Sequence, residues 1–226
     1  MEIFKQIKAE LELASLLEKL HLEAQSDDAK EFGELLEKAR AIAAPKVVYK
    51  TAYIDERQGD SVTIEGIRFN SHILRKNLEK VERVFAYVAT CGTELDGIDI
   101  PKDDMLKQYW LDNIKSVALF SARQYLVEYL KNKYALGKTA AMAPGSGNID
   151  VWPIEQQKEL FSVFGNVEEI IGVKLTESFL MIPNKSVSGI IFPTEINYES
   201  CKLCTREQCP NRRAPFDKKL SESYNK

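Results

Sequence analysis

The sequence predicts an α+β fold in which a largely antiparallel, twisted sheet is flanked by helices. Strand-like segments come in pairs, 46–54 with 61–69 and the two halves of 174–192, instead of alternating singly with helices. This order disfavours a parallel sheet built from strand–helix–strand units. A long helical pattern at 102–135 repeats apolar residues along one face, which predicts a helix that covers the sheet.

The composition is typical of a globular protein with enough apolar material for a core. The 226 residues are 44% hydrophobic and 29% charged, and the net charge is −3. This slight negative charge gives no general attraction to phosphate backbones, so no nucleic-acid partner is expected. No apolar run approaches the ~20 residues of a membrane span, and the N-terminus lacks the apolar stretch of a secretory signal. Because four cysteines are too few for a disulfide scaffold, we expect a cytoplasmic protein with reduced thiols.

The first 44 residues predict a pair of helices. Leucines between positions 11 and 22 recur at helical spacing, "QSDD" supplies a cap, and a second apolar stripe continues to position 42 before Pro45 ends it. The segment carries no catalytic signal. We therefore predict a helical appendage at 1–44, a core at 45–200 and a Cys-rich tail at 201–226.

The first half of the core predicts strands followed by helices. "KVVYKTAYI" and "SVTIEGIRF" indicate a hairpin around the turn "DERQGD". "SHILRKNLEKV" indicates a helix capped by Ser71, "RVFAYVATCG" a buried strand, and "TELDG" the start of a helix. The side chains predicted on the buried face of the 102–135 helix are Leu106, Tyr109, Trp110, Ile114, Val117, Ala118, Ser121, Tyr125, Leu126 and Leu130.

The stretch "AAMAPGSGNIDVWP" at 140–153 predicts a loop before a helix in "WPIEQQKELFSVFG". Its glycines permit positive φ and a close approach of the backbone to a ligand. The chain has no phosphate-binding loop and no nucleophile elbow, and its two histidines lack evident partners, which disfavours an acid–base hydrolase. The next stretch, "KLTESFLMIPNKSVSGIIF", predicts a hairpin. Its polar side chains need an explanation: Thr176, Glu177, Ser178, Ser186 and Ser188.

The tail brings three thiols within nine residues, at Cys201, Cys204 and Cys209. Two cysteines separated by two residues can direct both sulfurs at one ion, and thiolates favour zinc or the iron of an iron–sulfur cluster. These three cysteines are therefore the candidate metal ligands. Redox-active thiols and plain reduced cysteines are the alternatives. Cys91 is either a fourth ligand or a buried small apolar residue.

The run "IGVKLTESFLMIPNKSVSGIIF", with "ELFSVFG" before it and "APG" at 143–145, resembles the activation domain of cobalamin-dependent methionine synthase. The resemblance is strongest over 143–192 and extends more loosely back to about residue 84. It implies the fold of that domain, S-adenosylmethionine as the ligand, and cobalamin carried by a partner protein. In that family the domain presents the methyl group of the ligand while an electron donor reduces oxidised cobalt, and methyl capture draws the reduction forward.

The resemblance also implies the candidate ligand-binding residues, which are Ala143, Gly145, Ser146, Glu177 and Tyr198. The loop of the family resembles Arg-Pro-Ala-Pro-Gly-Tyr-Pro. Here Ala141 replaces the arginine that would pair with the ligand carboxylate, and Ser146 replaces the tyrosine. A charge-assisted hydrogen bond contributes about 1.5–3 kcal/mol. Its loss would weaken binding roughly ten- to a hundredfold unless Lys138 or another cation substitutes.

The expected function is that of a free-standing activator of cobalamin-dependent methionine synthase, an accessory component without catalytic side chains of its own. Its partners would be that enzyme or another corrinoid protein and a flavodoxin-like or other electron donor. Two alternatives are a metal- or iron–sulfur-binding reductive activator of a corrinoid protein, and a non-catalytic interaction protein on the same fold. The polar residues of the 174–192 hairpin either border the ligand groove or the cobalamin-facing surface, or satisfy the hairpin's own backbone.

Overall fold

The computed structural model describes residues 1–147, 151–196, 198–209 and 212–224. Its strands are β1 (Glu2–Phe4), β2 (Lys46–Gln58), β3 (Ser61–Ile64), β4 (Ile67–Asn70), β5 (Arg83–Thr90), β6 (Thr139–Met142), β7 (Lys174–Leu175), β8 (Met181–Ile182) and β9 (Ser186–Pro193). Its α-helices are α1 (Leu13–Leu20), α2 (Asp27–Ile42), α3 (His72–Asn77), α4 (Met105–Tyr134), α5 (Gln157–Ser162), α6 (Val167–Ile171) and α7 (Lys218–Tyr224). Short 3-10 helices span Glu94–Gly97, Ile154–Gln156 and Ser200–Leu203.

Within the described residues, seven strands form one antiparallel sheet in the order β4-β3-β2-β5-β9-β6, with β1 paired to β2. The uninterrupted apolar run of β5 explains its central place, because a strand covered on both faces buries all its side chains. The predicted α+β class, with a largely antiparallel sheet flanked by helices, is confirmed.

The two faces of the sheet carry different helices. Phe85 and Tyr87 of β5 point to the face covered by α4, where they pack with Ala122, Leu126 and Leu130. Alternate residues of the same strand point to the opposite face, which α3, α5 and α6 cover. The helix α4 therefore forms a wall above the middle of the sheet, next to the end of β6.

The N-terminal segment is only partly helical. Helices α1 and α2 form as predicted, and Ser26 caps α2 by accepting a hydrogen bond from the Ala29 N–H at 3.1 Å. Phe32 of α2 packs edge-on against Trp110 of α4. Residues 2–4, in contrast, form β1 and not part of a helix, because they add a strand to the edge of β2. None of the helices in the described residues combines the length and the hydropathy needed to cross a membrane.

Several predicted boundaries in the core are wrong. The first strand continues through the predicted turn "DERQ" as far as Gln58, and "SVTIEGIRF" is itself the hairpin of β3 and β4. The 140–153 loop begins inside a strand, since β6 pairs with β9. The helix after this loop is a 3-10 turn followed by the short α5. Three side chains predicted to be buried on α4 are exposed: Leu106, Tyr109 and Tyr125.

The predicted 174–192 hairpin is two separate structures. Strands β7 and β8 pair only with each other in a small sheet, whereas β9 lies between β5 and β6 in the main sheet. The close approach of β6 is possible because β9 carries a glycine there. A Cβ atom on Gly189 would lie 2.5 Å from the carbonyl oxygen of Met142.

The C-terminal segment packs onto the core. Leu203 and Tyr224 are buried in the cluster that covers the α3 face of the sheet. The Tyr224 hydroxyl donates to Oδ1 of Asn77 at 2.7 Å, and Nζ of Lys76 donates to the Tyr224 carbonyl at 3.2 Å. These contacts join α7 to α3. The division of the chain into 1–44, 45–200 and 201–226 stays a proposal about domain organisation.

Candidate functional site

A cavity of about 800 Å³ opens between α4, the end of β6 and the cysteine segment. Three parts of the chain supply its walls. The residues from α4 and the sheet are Tyr87, Ser116, Leu119, Phe120, Arg123, Ala141, Met142 and Val187. The loop after β6 contributes Ala143, Gly145, Ser146 and Gly147, and the tail contributes Cys201, Cys204, Arg206, Cys209, Arg212 and Arg213. None of these described lining residues is acidic.

The helical wall of the cavity is one face of α4. Ser116, Leu119, Phe120 and Arg123 are separated by three, one and three positions, which places them on the same side of a helix. Phe120 is 60% exposed although it is a large apolar residue. The Nε atom of Arg123 is buried and has no hydrogen-bond partner in the described part of the chain. This wall thus combines an aromatic surface with a cation.

The loop wall is shaped by glycine. Gly145 has φ of +76° and its N–H donates to the carbonyl of Trp152 at 2.8 Å. The Ser146 N–H donates to the carbonyl of Ala143 at 3.1 Å. These two N–H groups are engaged inside the loop. The absence of a Cβ atom at Gly145 makes room for Ile154, because an added Cβ would lie 2.9 Å from Cγ1 of that residue.

The far side of this loop is fixed to the sheet. The side chain of Gln156 accepts a hydrogen bond from the Asn70 N–H at 2.7 Å and donates one to the Asn70 carbonyl at 2.6 Å. The buried Ser71 hydroxyl donates to the carbonyl of Val151. Positions 148–150 of the predicted loop lie outside the described residues. The described ends of the loop are both anchored, so the 143–147 backbone is held in place next to α4.

The cysteine segment is organised by Arg212. Its guanidinium donates to the carbonyls of Cys201 at 3.2 Å, Ala214 at 2.9 Å and Cys204 at 3.0 Å, and also to the carbonyl of Arg206. An arginine that donates to four backbone carbonyls acts as a structural centre for the surrounding loop. This arrangement turns the segment toward the cavity, although residues 210 and 211 of the tail lie outside the described part.

The three predicted metal ligands line the cavity together, and all three are free thiols. Thiols are the donor type that zinc and iron–sulfur clusters require. However, no group of three His, Cys, Asp or Glu side chains in the described residues is arranged to hold a metal ion. The three thiols are suitable donors for a metal ion, but their arrangement in the described residues does not form a metal site. Metal binding therefore stays a prediction.

The thiols differ in their environment. Burial raises the pKa of Cys201, but hydrogen bonds from the backbone and side chain of Arg213, together with its charge, lower that pKa below the ordinary value. Cys91 is fully buried in the cluster of α1, α2 and α4, and burial raises its pKa to about 11. Cys91 is not among the described residues that line the cavity, which favours the interpretation of a buried small apolar residue.

Two of the predicted ligand-binding residues lie elsewhere. Glu177 is exposed in the turn between β7 and β8 and does not line the cavity. Tyr198 is buried in the core and borders a second cavity of about 380 Å³, which also includes Lys138. Burial raises the pKa of the Tyr198 hydroxyl. The structure thus brings together Ala143, Gly145 and Ser146 with the three tail cysteines, and it does not bring Glu177 or Tyr198 to them.

The polar side chains of the 174–192 stretch bond within the protein. Oγ1 of Thr176 accepts from the Leu180 N–H at 3.1 Å, and the Ser186 hydroxyl donates to Oγ1 of Thr90 at 2.9 Å. The buried Ser188 hydroxyl donates to Oε1 of Gln157. These bonds favour the interpretation that the polar groups satisfy the local structure. Only Val187 of β9 lines the cavity among the described residues of that strand.

Sequence reasoning did not identify the helical wall or the arginines. The spacing of Ser116, Leu119, Phe120 and Arg123 was a readable signal, because it places an arginine on the same helical face as a phenylalanine. Only the buried face of the 102–135 helix was considered, because that face predicts how the helix packs on the sheet. The arginines of the tail carried no local signal, since only the fold turns them toward β6.

A family model described as vitamin B12 dependent methionine synthase, activation domain, matches residues 128–214. The match includes the cavity loop and the three tail cysteines, and it begins five residues after Arg123. Among solved structures, a crystal structure of the MetH reactivation domain bound to AdoHcy is similar, with a TM-score of 0.60 and 18% identity. The similarity covers 88% of this chain and 80% of that one, and it shows the same fold. A comparison with curated proteins found no match. The resemblance read from the sequence is confirmed.

Proposed function

We propose that this chain binds S-adenosylmethionine in the cavity and supports the reductive methylation of oxidised cobalamin on cobalamin-dependent methionine synthase, acting as a separate chain. The observation that carries the proposal is that Ala143, Gly145 and Ser146 form one wall of an 800 Å³ cavity. These residues lie within the segment that the activation-domain model matches. A cavity of this volume is of the size that encloses a small-molecule ligand.

The cavity offers distinct surfaces to the two ends of such a ligand. Phe120, which is 60% exposed, provides aromatic surface for stacking with an adenine ring or for contact with a sulfonium cation. Ala143, Gly145 and Ser146 bound the ligand on the loop side. The arginines provide donors for a carboxylate. The chain's contribution is to bind and orient the ligand, with its methyl group directed toward the partner.

The chemistry that follows takes place at the cobalt of the partner. An electron from a donor protein reduces the oxidised cobalt, and the methyl group passes from the sulfonium to the cobalt, which leaves S-adenosylhomocysteine. Removal of the reduced form by methyl transfer draws an unfavourable reduction forward. The side chains of this chain hold the ligand in position for the methyl transfer. Such positioning can supply much of the reduction in an activation barrier.

The charge of the cavity predicts which of two adenosyl compounds binds more tightly. Four arginines and no acidic residue line its described walls. S-adenosylhomocysteine lacks the sulfonium charge, so the cationic wall should favour it over S-adenosylmethionine. We therefore expect both compounds to bind in isothermal titration, and the demethylated compound to bind more tightly.

The decisive test adds this chain in trans to an oxidised methionine synthase from which its own activation domain has been removed. With S-adenosylmethionine and a flavodoxin-like donor present, we expect activity to return. The control omits S-adenosylmethionine. A chain that binds neither adenosyl compound, or that binds them without restoring activity, would overturn the proposal.

A second candidate function is that of a metal- or iron–sulfur-binding reductive activator of a corrinoid protein. The convergence of Cys201, Cys204 and Cys209 on one cavity favours it. Anaerobically purified protein should then contain zinc or iron, and Cys204→Ser should release it, whereas Cys91→Ser should not. Equal metal content in the parent and the Cys204→Ser variant would exclude the tail as the site. Protein that holds neither metal nor adenosyl ligand would instead support a non-catalytic interaction role.

A further inference from the structure

Arg123 stands out among the cationic residues of the cavity because one of its donors lacks a partner in the described residues. It projects from the middle of α4, and its buried Nε has no hydrogen-bond partner in the part of the chain that the structure describes. A buried donor without a partner costs free energy, and a charged one costs more. A ligand that supplied an anionic acceptor at this point would remove that cost.

The other arginines at the cavity are committed or exposed. Arg212 donates to four backbone carbonyls of the tail. Arg213 forms an ion pair with Glu199 at 3.5 Å and is hydrogen-bonded to Cys201. Arg206 is exposed. Of the described arginines that line the cavity, Arg123 is thus the one with a buried donor that has no partner among the described residues.

The strand opposite Arg123 carries no charge at this point. Ala141 of β6 lines the same cavity, and its small side chain packs with the apolar cluster beneath α4. Lys138, at the start of the same strand region, borders the second cavity with Tyr198 and does not line this one. The cations that line this cavity in the described residues thus come from α4 and the tail, and among them Arg123 has the unpartnered buried donor.

We propose that Arg123 binds the α-carboxylate of the amino-acid end of the ligand, with its planar guanidinium donating to the carboxylate oxygens. This inference rests on the proposed function. It adds a residue that fixes the orientation of the ligand in the cavity. Its amino-acid end lies against α4, and its nucleoside lies toward the loop at 143–147. Arg123 is then a specificity-determining residue, because it distinguishes adenosyl compounds that carry the carboxylate from those that lack it.

The test compares two ligands that differ in the carboxylate. S-adenosylhomocysteine carries the amino-acid end, and 5′-methylthioadenosine lacks it. Isothermal titration should show that Arg123→Gln weakens binding of S-adenosylhomocysteine about ten- to a hundredfold, the size of a lost charge-assisted hydrogen bond. Binding of 5′-methylthioadenosine should stay within about twofold of the parent. The matched control, Arg68→Gln, removes an exposed arginine of β4 that does not line the cavity, and it should change neither affinity by more than about threefold.

A rescue variant shows whether Arg123→Gln loses binding because the cation is gone or because the variant is misfolded. In the double variant Arg123→Gln with Ala141→Arg, the cation returns from the strand, and selective binding of S-adenosylhomocysteine should recover. Arg123→Lys keeps the charge without the planar fork and should give intermediate affinity. An equal loss for both ligands in Arg123→Gln, or no loss for S-adenosylhomocysteine, would overturn the inference.

The outcomes separate this inference from the proposed function. A parent protein that binds S-adenosylhomocysteine, together with an Arg123→Gln variant that binds it equally well, refutes the role of Arg123 and leaves the proposed function standing. A parent protein that binds neither compound refutes both.

Discussion

Gly145 and Ile154 approach each other so closely that a Cβ atom on the glycine would lie 2.9 Å from Cγ1 of the isoleucine. The contact joins the cavity loop to the 3-10 turn that precedes α5. Gly145 also has φ of +76°, a conformation that side-chain-bearing residues rarely adopt. The loop wall of the cavity therefore depends on the absence of a side chain at this position, for both steric and conformational reasons.

We expect Gly145→Val to weaken binding of the adenosyl ligand at least tenfold and to lower the free energy of unfolding by about 1–3 kcal/mol. The valine would have to displace Ile154 and occupy a strained φ. Isothermal titration and urea unfolding measure the two effects. Gly137→Ala is the matched control, because Gly137 has nothing within 4 Å of an added Cβ and no positive φ. Unchanged affinity in Gly145→Val would remove the loop from the site.

A second prediction concerns the reactivity of Cys201. Its pKa is lowered by hydrogen bonds from Arg213 and by the positive charge of that residue, which together outweigh burial. Because the thiolate is the reactive form, Cys201 should react with iodoacetamide at lower pH than an ordinary thiol. Cys91 serves as an internal control, since it is buried and its pKa is raised to about 11.

Arg213→Gln should shift the pH midpoint of Cys201 alkylation upward and slow the reaction near neutral pH. Peptide mass spectrometry after timed labelling measures this rate for each cysteine. Glu199→Gln is the matched control, because it removes the partner of Arg213 and leaves the arginine beside the thiol. That variant should not raise the midpoint. The same midpoint in Arg213→Gln and the parent would show that Arg213 does not set the pKa.

A third prediction tests whether the buried serine of β9 serves the protein's own hydrogen bonding. Ser188 donates to Gln157, and both residues are buried. Ser188→Ala would leave the amide oxygen of Gln157 buried without its donor, which should cost about 1–3 kcal/mol of unfolding free energy. Urea unfolding measures the loss. Ser162→Ala removes an exposed hydroxyl on α5 and should change stability by no more than about 0.5 kcal/mol.

The adenosyl ligand gives this prediction a second readout. If Ser188 serves only the structure, ligand affinity of the folded Ser188→Ala variant should match the parent. A large loss of affinity with little loss of stability would contradict the structural interpretation and return Ser188 to the ligand groove.

The sequence predicted best what depends on local patterns. The α4 helix, the central strand β5 and the caps at Ser26 and Ser71 all follow from periodicity and cap chemistry within a few residues. The resemblance identified Ala143, Gly145 and Ser146, and these do line one cavity. Local patterns and a continuous motif are therefore sufficient for the class of fold and for one wall of the candidate site.

What the sequence did not predict depends on contacts between distant segments. The four residues of β6 contain no β-branched residue after Thr139, and they form a strand only because β9 pairs with them. The strand β1 was missed for the same reason, since it forms on the edge of β2. The helical wall with Arg123 meets the loop and the tail cysteines only after the chain has folded. Such a wall carries no continuous motif.

The last prediction concerns the way β1 is held. The carboxylate of Glu2 accepts hydrogen bonds from Tyr49 of β2, from Tyr129 of α4 at 2.6 Å, and from Lys133. Burial raises the pKa of Glu2, but these hydrogen bonds and the charge of Lys133 outweigh burial and lower the pKa to about 2. A carboxyl group whose pKa falls on folding stabilises the protein above its unfolded pKa, which is near 4.5 here.

Glu2→Gln should therefore destabilise the protein at pH 6 and have a smaller effect at pH 3. The contribution of the carboxylate is lost as pH falls from about 4.5 toward about 2. The Glu2 side chain is 38% exposed, so solvent screening limits the effect to at most about 1 kcal/mol. Urea unfolding at both pH values measures it. Glu10→Gln, which removes a more exposed partner of Lys8, should show little difference at either pH. A Glu2→Gln effect that does not shrink at pH 3 would mean that packing of β1, and not the ionised carboxylate, holds the strand.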